Sequence, residues 1–311
     1  MLKMDKFEKI HELRDIVKAD SQNFQAIREL SVLLLDVGLN EEALKYLLDL
    51  VNVFKDDDPR LYYNLGIAWE KLNNLKMAEK NYLKAIELNE NETDFNYNLG
   101  LLYLSQKRYD EALKYFNKVM EFDKNDANTH FNFGQIYLNL GTFDKAINSF
   151  KKAFSLNPLD SIALYNLAYS YFQNGEINLS IETYNNLIEK FPDYSWAYFN
   201  LGAIYFLLED NDNAIEYLNK TVKINPKDMN AYKILTQIYI KQKMYDNAKL
   251  TISKALEINN FDGDLYYYLS RCYKNIDNEK YVLNLKQALK NYQNLSFNID
   301  LIKKELKTVQ D

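Results

Sequence analysis

The sequence predicts an all-α solenoid of about eight helix-turn-helix units with a capping helix at each end. Three observations carry that prediction. First, a short phrase returns every 34 residues: Tyr63-Asn64-Leu65-Gly66, Tyr97-Asn98-Leu99-Gly100, Phe131-Asn132-Phe133-Gly134, Tyr165-Asn166-Leu167-Ala168 and Phe199-Asn200-Leu201-Gly202. Units start at Pro59, Thr93, Ala127, Ser161, Ser195, Met229 and Gly263 with no insertion between them. Second, apolar residues inside each unit recur at spacings of three and four, so both halves of the unit read as helices. Third, the glycines and prolines fall at turns and at fixed register positions, not in a phosphate-binding loop.

Residues 1–23 read as a leading helix, with Phe7, Ile10, Leu13 and Val17 forming one apolar stripe. The repeat array spans 24–290, and its first unit begins near 24. The tract Lys55-Asp56-Asp57-Asp58-Pro59 holds one extra residue and closes that unit. Asp ahead of a proline at the first helical position starts the next helix. In later units, positions 7, 11 and 14 of the first helix and 20, 24 and 27 of the second are expected to pack together. Glycine at position 8 (Gly66, Gly100, Gly134, Gly202) costs about 1 kcal/mol in a helix, so close approach of the second helix at its small position-20 residue is expected. Gly38, Gly141 and Gly175 stand at position 15, where a helix C-terminal cap belongs. The last unit is degenerate, with a second helix near 280–290. In the final segment, 291–311, Leu295, Ile299, Ile302, Leu306 and Val309 face the last repeat, while Lys303, Lys304, Glu305 and Lys307 face water.

The full register resembles the tetratricopeptide repeat family. Position 11 is Trp69, Tyr103, Tyr137, Tyr171, Tyr205, Tyr239 and Tyr273; position 20 is Ala78, Ala112, Ala146, Ser180, Ala214 and Ala248. Tyr82, Phe116, Phe150 and Tyr184 follow at position 24, and Pro158, Pro192 and Pro226 close three units. The resemblance covers roughly 24–290. It implies a right-handed superhelix whose first helices line a concave groove, and a function in protein binding. The position-6 ladder Asn64, Asn98, Asn132, Asn166 and Asn200 is similar to that in the tetratricopeptide arm of the O-linked N-acetylglucosamine transferase, whose catalytic domain this chain has no room for. That likeness implies asparagines that hold the backbone of an extended polypeptide. An amide suits the task, since it both donates and accepts.

Composition removes other function classes. The chain has 38 Lys+Arg against 44 Asp+Glu, a net charge of −6, which does not favour a nucleic acid or an anionic membrane. Cys272 is the one cysteine, so no internal disulfide forms. His11 and His130 are far apart, and no metal-spaced cluster or nucleophile motif occurs. The start of the chain shows no apolar leader and no run is long enough for a membrane span, so the chain reads as cytoplasmic, with no cofactor and no enzymatic activity.

What remains is the face of the first helices. Positions 2, 5, 6, 9, 12 and 13 of the units starting at Ala127, Ser161 and Ser195 hold no charged residue, in a chain that is 26% charged. Besides the asparagines, Tyr97, Phe131, Tyr165, Tyr169, Trp196 and Phe199 are the candidate binding residues. An amide hydrogen bond nets about 0.5–1.5 kcal/mol, and ordering a peptide residue costs about 1–2 kcal/mol. Each apolar side chain removed from water adds about 1.5–3 kcal/mol. The amides would set register and the aromatics would supply affinity, favouring apolar or aromatic peptide segments. The alternative is an assembly protein that self-associates through its ends or its convex face.

Overall fold

The computed structural model describes residues 6–54 and 58–310. Among these residues are eighteen α-helices, one 3-10 turn and no strand. Helix α1 (Lys6–Ala19) comes first. Eight pairs follow: α2 (Phe24–Asp36) with α3 (Asn40–Phe54), α4 (Pro59–Lys71) with α5 (Leu75–Leu88), α6 (Thr93–Ser105) with α7 (Tyr109–Phe122), and α8 (Ala127–Asn139) with α9 (Phe143–Leu156). Then come α10 (Ser161–Gln173) with α11 (Ile177–Lys190), α12 (Ser195–Leu207) with α13 (Asn211–Ile224), α14 (Met229–Lys241) with α15 (Tyr245–Ile258), and α16 (Gly263–Tyr273) with α17 (Asn278–Lys290). A 3-10 turn, Tyr292–Asn294, leads into α18 (Ile299–Gln310). The first member of each pair is termed the A helix and the second the B helix. From Pro59 onward every A helix begins on the residue that opens its sequence unit.

The helices group into two compact units, Met1–Pro158 and Leu159–Asp311. Within each, a B helix packs on its own A helix and on the next one. Aspartates set the A-helix starts. The carboxylates of Asp58, Asp126, Asp160, Asp228 and Asp262 accept from first-turn backbone N–H groups that the helix itself leaves unpaired. The expected extra residue in the tract before Pro59 lies partly outside the described residues, at 55–57.

Core packing follows the register with two corrections. Position 14 is not in the core: Leu140 and Leu208 are half exposed. The A helix has already ended there, and this residue is the C-cap. Its core stripe is instead positions 3, 7 and 10, as in Leu61, Leu65 and Ala68 or Ala231, Leu235 and Ile238, all buried. The second correction concerns glycine at position 8. A Cβ on Gly66 would meet the Tyr82 ring at 2.4 Å, and one on Gly100 the Phe116 ring at 2.8 Å. The crowding partner is thus the position-24 side chain, not the small residue at position 20, which is fully buried on the same helix.

The A-to-B turn has one conformation in the first seven repeats, whereas in the last the left-handed residue is Asn275 (φ 66°), at position 13. Position 15 is left-handed at Gly38, Gly141 and Gly175, and equally at Asn73, Lys107, Glu209 and Lys243, with φ of 60°, 59°, 61° and 62° for the last four. A side chain in this region costs about 1–2 kcal/mol, so five repeats carry local strain that three avoid.

Both terminal helices bury one face. In α1 the stripe is Ile10, Leu13 and Val17, whereas Phe7, expected with them, is 58% exposed. Three residues short of Ile10 it stands about 60° off the stripe, at the edge of the interface. In α18, Ile302 is buried and Leu306 and Val309 pack beside it. Glu305, expected to face water, turns inward instead. It accepts from Arg271 (2.7 Å) and Lys274 (2.9 Å), and from the Tyr281 hydroxyl. The cap is held by charge as well as by apolar contact.

Candidate functional site

Positions 2, 5, 6, 9, 12 and 13 of the A helices make up the candidate binding surface, with position 5 at its inner margin, where Tyr63, Tyr97, Phe131 and Tyr165 lie against the position-24 ring of their own B helix. This is the A face. Each unit of the chain carries its own stretch of it.

In the first unit the ladder is part of the scaffold. Asn98 Nδ2 donates to the hydroxyl of Tyr63 (2.6 Å) and to the Asp94 carbonyl (3.0 Å). Asn132 Nδ2 donates to the hydroxyl of Tyr97 (3.1 Å). The position-6 amide therefore reaches back to the position-5 phenol of the preceding repeat. Asn132 is only 5% exposed, so it meets solvent least of the five. Burial raises the Tyr63 phenol to about 12, with Asp94 and Glu70 adding to the effect, so it stays a neutral hydroxyl.

Asn64 stands elsewhere, in a cleft of about 460 Å³ between α2 and α4. That cleft has an apolar floor of Leu33, Leu47 and Leu61 and a charged rim including Arg28 and Arg60. Arg28 pairs with Asp58 at 2.6 Å and Arg60 with Glu92 at 3.8 Å. Tyr97 borders a smaller cleft, about 260 Å³, with Asp94, Asp123 and Asp126. Neither charged cleft was visible in the sequence, because each joins positions from successive repeats. Phe131, on α8, packs edge-on against Phe150 at 5.6 Å.

The second unit carries a different surface. Asn200 Nδ2 donates to the Tyr165 hydroxyl (3.1 Å) and to the Trp196 carbonyl (2.8 Å). Asn166, whose register predecessor Phe131 has no hydroxyl, donates to the Ile162 carbonyl of its own helix (2.8 Å). Trp196 is 59% exposed, Ile162 54% and Leu207 66%, while Tyr165, Tyr169 and Phe199 are half-buried. Over α10 and α12 no A-face position is charged. An exposed indole and exposed aliphatic side chains on the same two helices are apolar surface that folding has left in water. Two further aromatics, Tyr184 and Tyr194, complete the cluster behind Tyr165, at ring distances of 5.8 and 5.7 Å. Tyr184 was assigned to the core by its register, and Tyr194 lies outside the helix positions altogether.

Cys272 is buried, and burial lifts its thiol to about 11, far from a reactive thiolate. His130 pairs with the Lys124 carbonyl at 3.0 Å. Among the described residues no group of three or more His, Cys, Asp or Glu side chains is placed to hold a metal, and no helix is long and apolar enough to cross a membrane.

Stacked helix pairs with a recurring outward face define a helical-repeat interaction scaffold. Family profiles described as tetratricopeptide repeat match residues 59–92, 94–158, 168–209, 195–228 and 232–262, together more than half of the chain. The chain belongs to the tetratricopeptide repeat family, whose members are protein-interaction modules. Solved structures agree on the fold. The C-terminal part of a repeat protein from Cytophaga hutchinsonii is similar with a TM-score of 0.68 and 16% identity, over 78% of this chain and 98% of that one. YrrB, described as a repeat protein with an unusual peptide-binding site, is similar with a TM-score of 0.52 and 24% identity, over 60% of this chain and 95% of its own. MamA from Desulfovibrio magneticus RS-1, from residue 41 to its end, gives a TM-score of 0.51 and 25% identity, over 54% of this chain and 95% of its own. No curated protein matches the chain.

Proposed function

We propose that this protein is a non-catalytic scaffold that binds an extended, uncharged polypeptide segment along its A face, with the main contacts in the second unit. The observation that supports this is the exposed, uncharged stretch of α10 and α12, centred on Trp196. Burying such an indole and the exposed aliphatic side chains of the same two helices contributes several kcal/mol, enough to offset the ordering of a short peptide. The asparagines play a smaller part in this reading than their ladder suggests. Three of them already give Nδ2 to a tyrosine of the preceding repeat, which leaves their carbonyl oxygens for a ligand.

A peptide array probed with the purified protein tests the reading. Peptides with aromatic and aliphatic residues should be selected, and binding should change little between low and high salt, since charges contribute little. Trp196→Ala should abolish most of the signal. Selection of strongly acidic or basic peptides, released by salt, would overturn the proposal.

A further inference from the structure

In four consecutive repeats a position-5 ring lies against position 24 of its own B helix. Tyr63 meets Tyr82 there at 5.9 Å, and Phe95, position 3 of the next repeat, at 4.9 Å. Its hydroxyl accepts from Asn98, position 6 of that next repeat. Tyr97 and Tyr165 accept in the same way from Asn132 and Asn200. In the repeat that begins at Phe24, position 5 is instead Arg28, whose guanidinium pairs with Asp58 at 2.6 Å. Position 5 supplies no ring at this junction, and here lies the cleft of about 460 Å³ between α2 and α4.

The lining of that cleft repeats the seat of Tyr63 position by position. Leu47 is position 24, Leu61 is position 3 of the next repeat, and Asn64 is its position 6. Val32, 48% exposed, adds an apolar wall. Asn98, Asn132 and Asn200 spend Nδ2 on a phenol and Asn166 spends it on a backbone carbonyl, whereas Asn64 makes no such bond among the described residues. No other junction in the array sets an asparagine after a position 5 that is not aromatic. Lys233, the second exception at position 5, is followed by Tyr268 and pairs with Asp262 at 2.8 Å.

We propose that this cleft receives a tyrosine side chain presented by a partner polypeptide, its ring over Leu47 and Leu61 and its hydroxyl accepting from Asn64 Nδ2. The guest completes from outside the contact that Tyr63 makes from within. Leu47 and Leu61 are already buried, so the apolar gain comes from the guest ring leaving water and from its cover of Val32. A ring seated there also takes water from the Asn64 amide. A hydrocarbon guest would leave that amide unmet, whereas a phenol answers it. Glu29 and Asp58 balance Arg28 and Arg60 around the cleft, so the neutral phenol fits and a phosphorylated one does not. The cleft belongs to the first compact unit and the uncharged stretch of α10 and α12 to the second, so either reading can fail without the other.

The test is NMR titration of the full chain with short capped peptides identical but for one central residue: tyrosine, phenylalanine, alanine or phosphotyrosine. The tyrosine peptide should shift the Asn64 side-chain amide. It should bind about three- to tenfold more tightly than the phenylalanine peptide, and at least about tenfold more tightly than the alanine peptide. Asn64→Ala should bring tyrosine down to the level of phenylalanine. Arg28→Tyr fills the place from within, so it should block binding at the cleft while the melting temperature stays at or above the parent's. Equal affinity for tyrosine and phenylalanine, tighter binding of phosphotyrosine, or binding retained in Arg28→Tyr overturns the inference. Self-association of the free chain that Arg28→Tyr removes would make the occupant a second copy and overturn it too. Should Arg28→Tyr fail to fold, Asn64→Ala decides alone: an unchanged preference for tyrosine over phenylalanine sinks the inference.

Discussion

The amide of Asn132 donates to the phenol oxygen of Tyr97 across 3.1 Å, and so joins the A helices of two successive repeats. The same bond links Asn98 to Tyr63 and Asn200 to Tyr165. A feature that in sequence looks like a row of ligand contacts is, in these three places, a repeat-to-repeat bond at the margin of the face.

Removing that bond should cost stability. Tyr97→Phe leaves the nearly buried Asn132 amide short of an acceptor, for about 1–2 kcal/mol. Asn132→Ala should cost a similar amount, and the double variant less than the sum. Urea unfolding of the four proteins measures the coupling, expected near 0.5–1.5 kcal/mol. Strict additivity would show that the two side chains do not stabilise one another.

The left-handed turn residues offer a stabilising change. Glu209 and Lys107 hold φ of 61° and 59°, which a side chain resists and glycine does not. Glu209→Gly and Lys107→Gly should each raise stability by about 0.5–1 kcal/mol, and Gly175→Ala should lower it by about 1 kcal/mol. Thermal melts decide the matter. A drop in both glycine variants would mean that the turn is not strained.

The C-terminal cap should loosen in acid. Glu305 titrates at about 2, below its usual 4.5, chiefly because Arg271 donates to it, with Tyr281 and Lys274 assisting against the cost of burial. A carboxyl depressed on folding stabilises the folded state above its unfolded pKa. That stability fades as pH falls from 4.5 toward 2. Glu305→Gln should therefore melt lower than the parent at neutral pH, by the equivalent of about 1–3 kcal/mol. The gap should close across that acid window. A gap independent of pH would assign the difference to packing.

Much of the fold was legible because a solenoid writes its contacts into a period. Leu65, Leu99 and Leu235 are buried for the same local reason, so one unit read correctly gives the others. What escaped was whatever depends on two units at once, or on a departure from the rule. The partner of Asn98 is Tyr63, 35 residues earlier, and nothing in either unit alone announces it. Position 14 looked apolar at Leu140 and Leu208 but lies past the end of its helix, where side-chain direction no longer follows helical periodicity. Glu305 carried the charge expected of a water-facing residue, yet Arg271 of α16, Lys274 at the end of that helix and Tyr281 of α17 hold it inside. On the A face, the exposed Trp196 was visible as an uncharged position.

The pairing of position 5 with the following position 6 also governs how units can be exchanged. Tyr63, Tyr97 and Tyr165 are each succeeded by an asparagine that meets their hydroxyl, whereas Phe199, which has no hydroxyl, is succeeded by Ile234. Excising 93–126 would bring Tyr63 ahead of Asn132, and the phenol would still find an amide. Excising 195–228, a segment of equal length, would bring Tyr165 ahead of Ile234 and strand its hydroxyl against a hydrocarbon. Repeats of one length and one fold are therefore not interchangeable parts. At the three junctions that carry the tyrosine–asparagine pair, one edge is a key cut for its successor, so there the order of units is specified, and arrays shuffled at those junctions should keep their stability only where the keys still match.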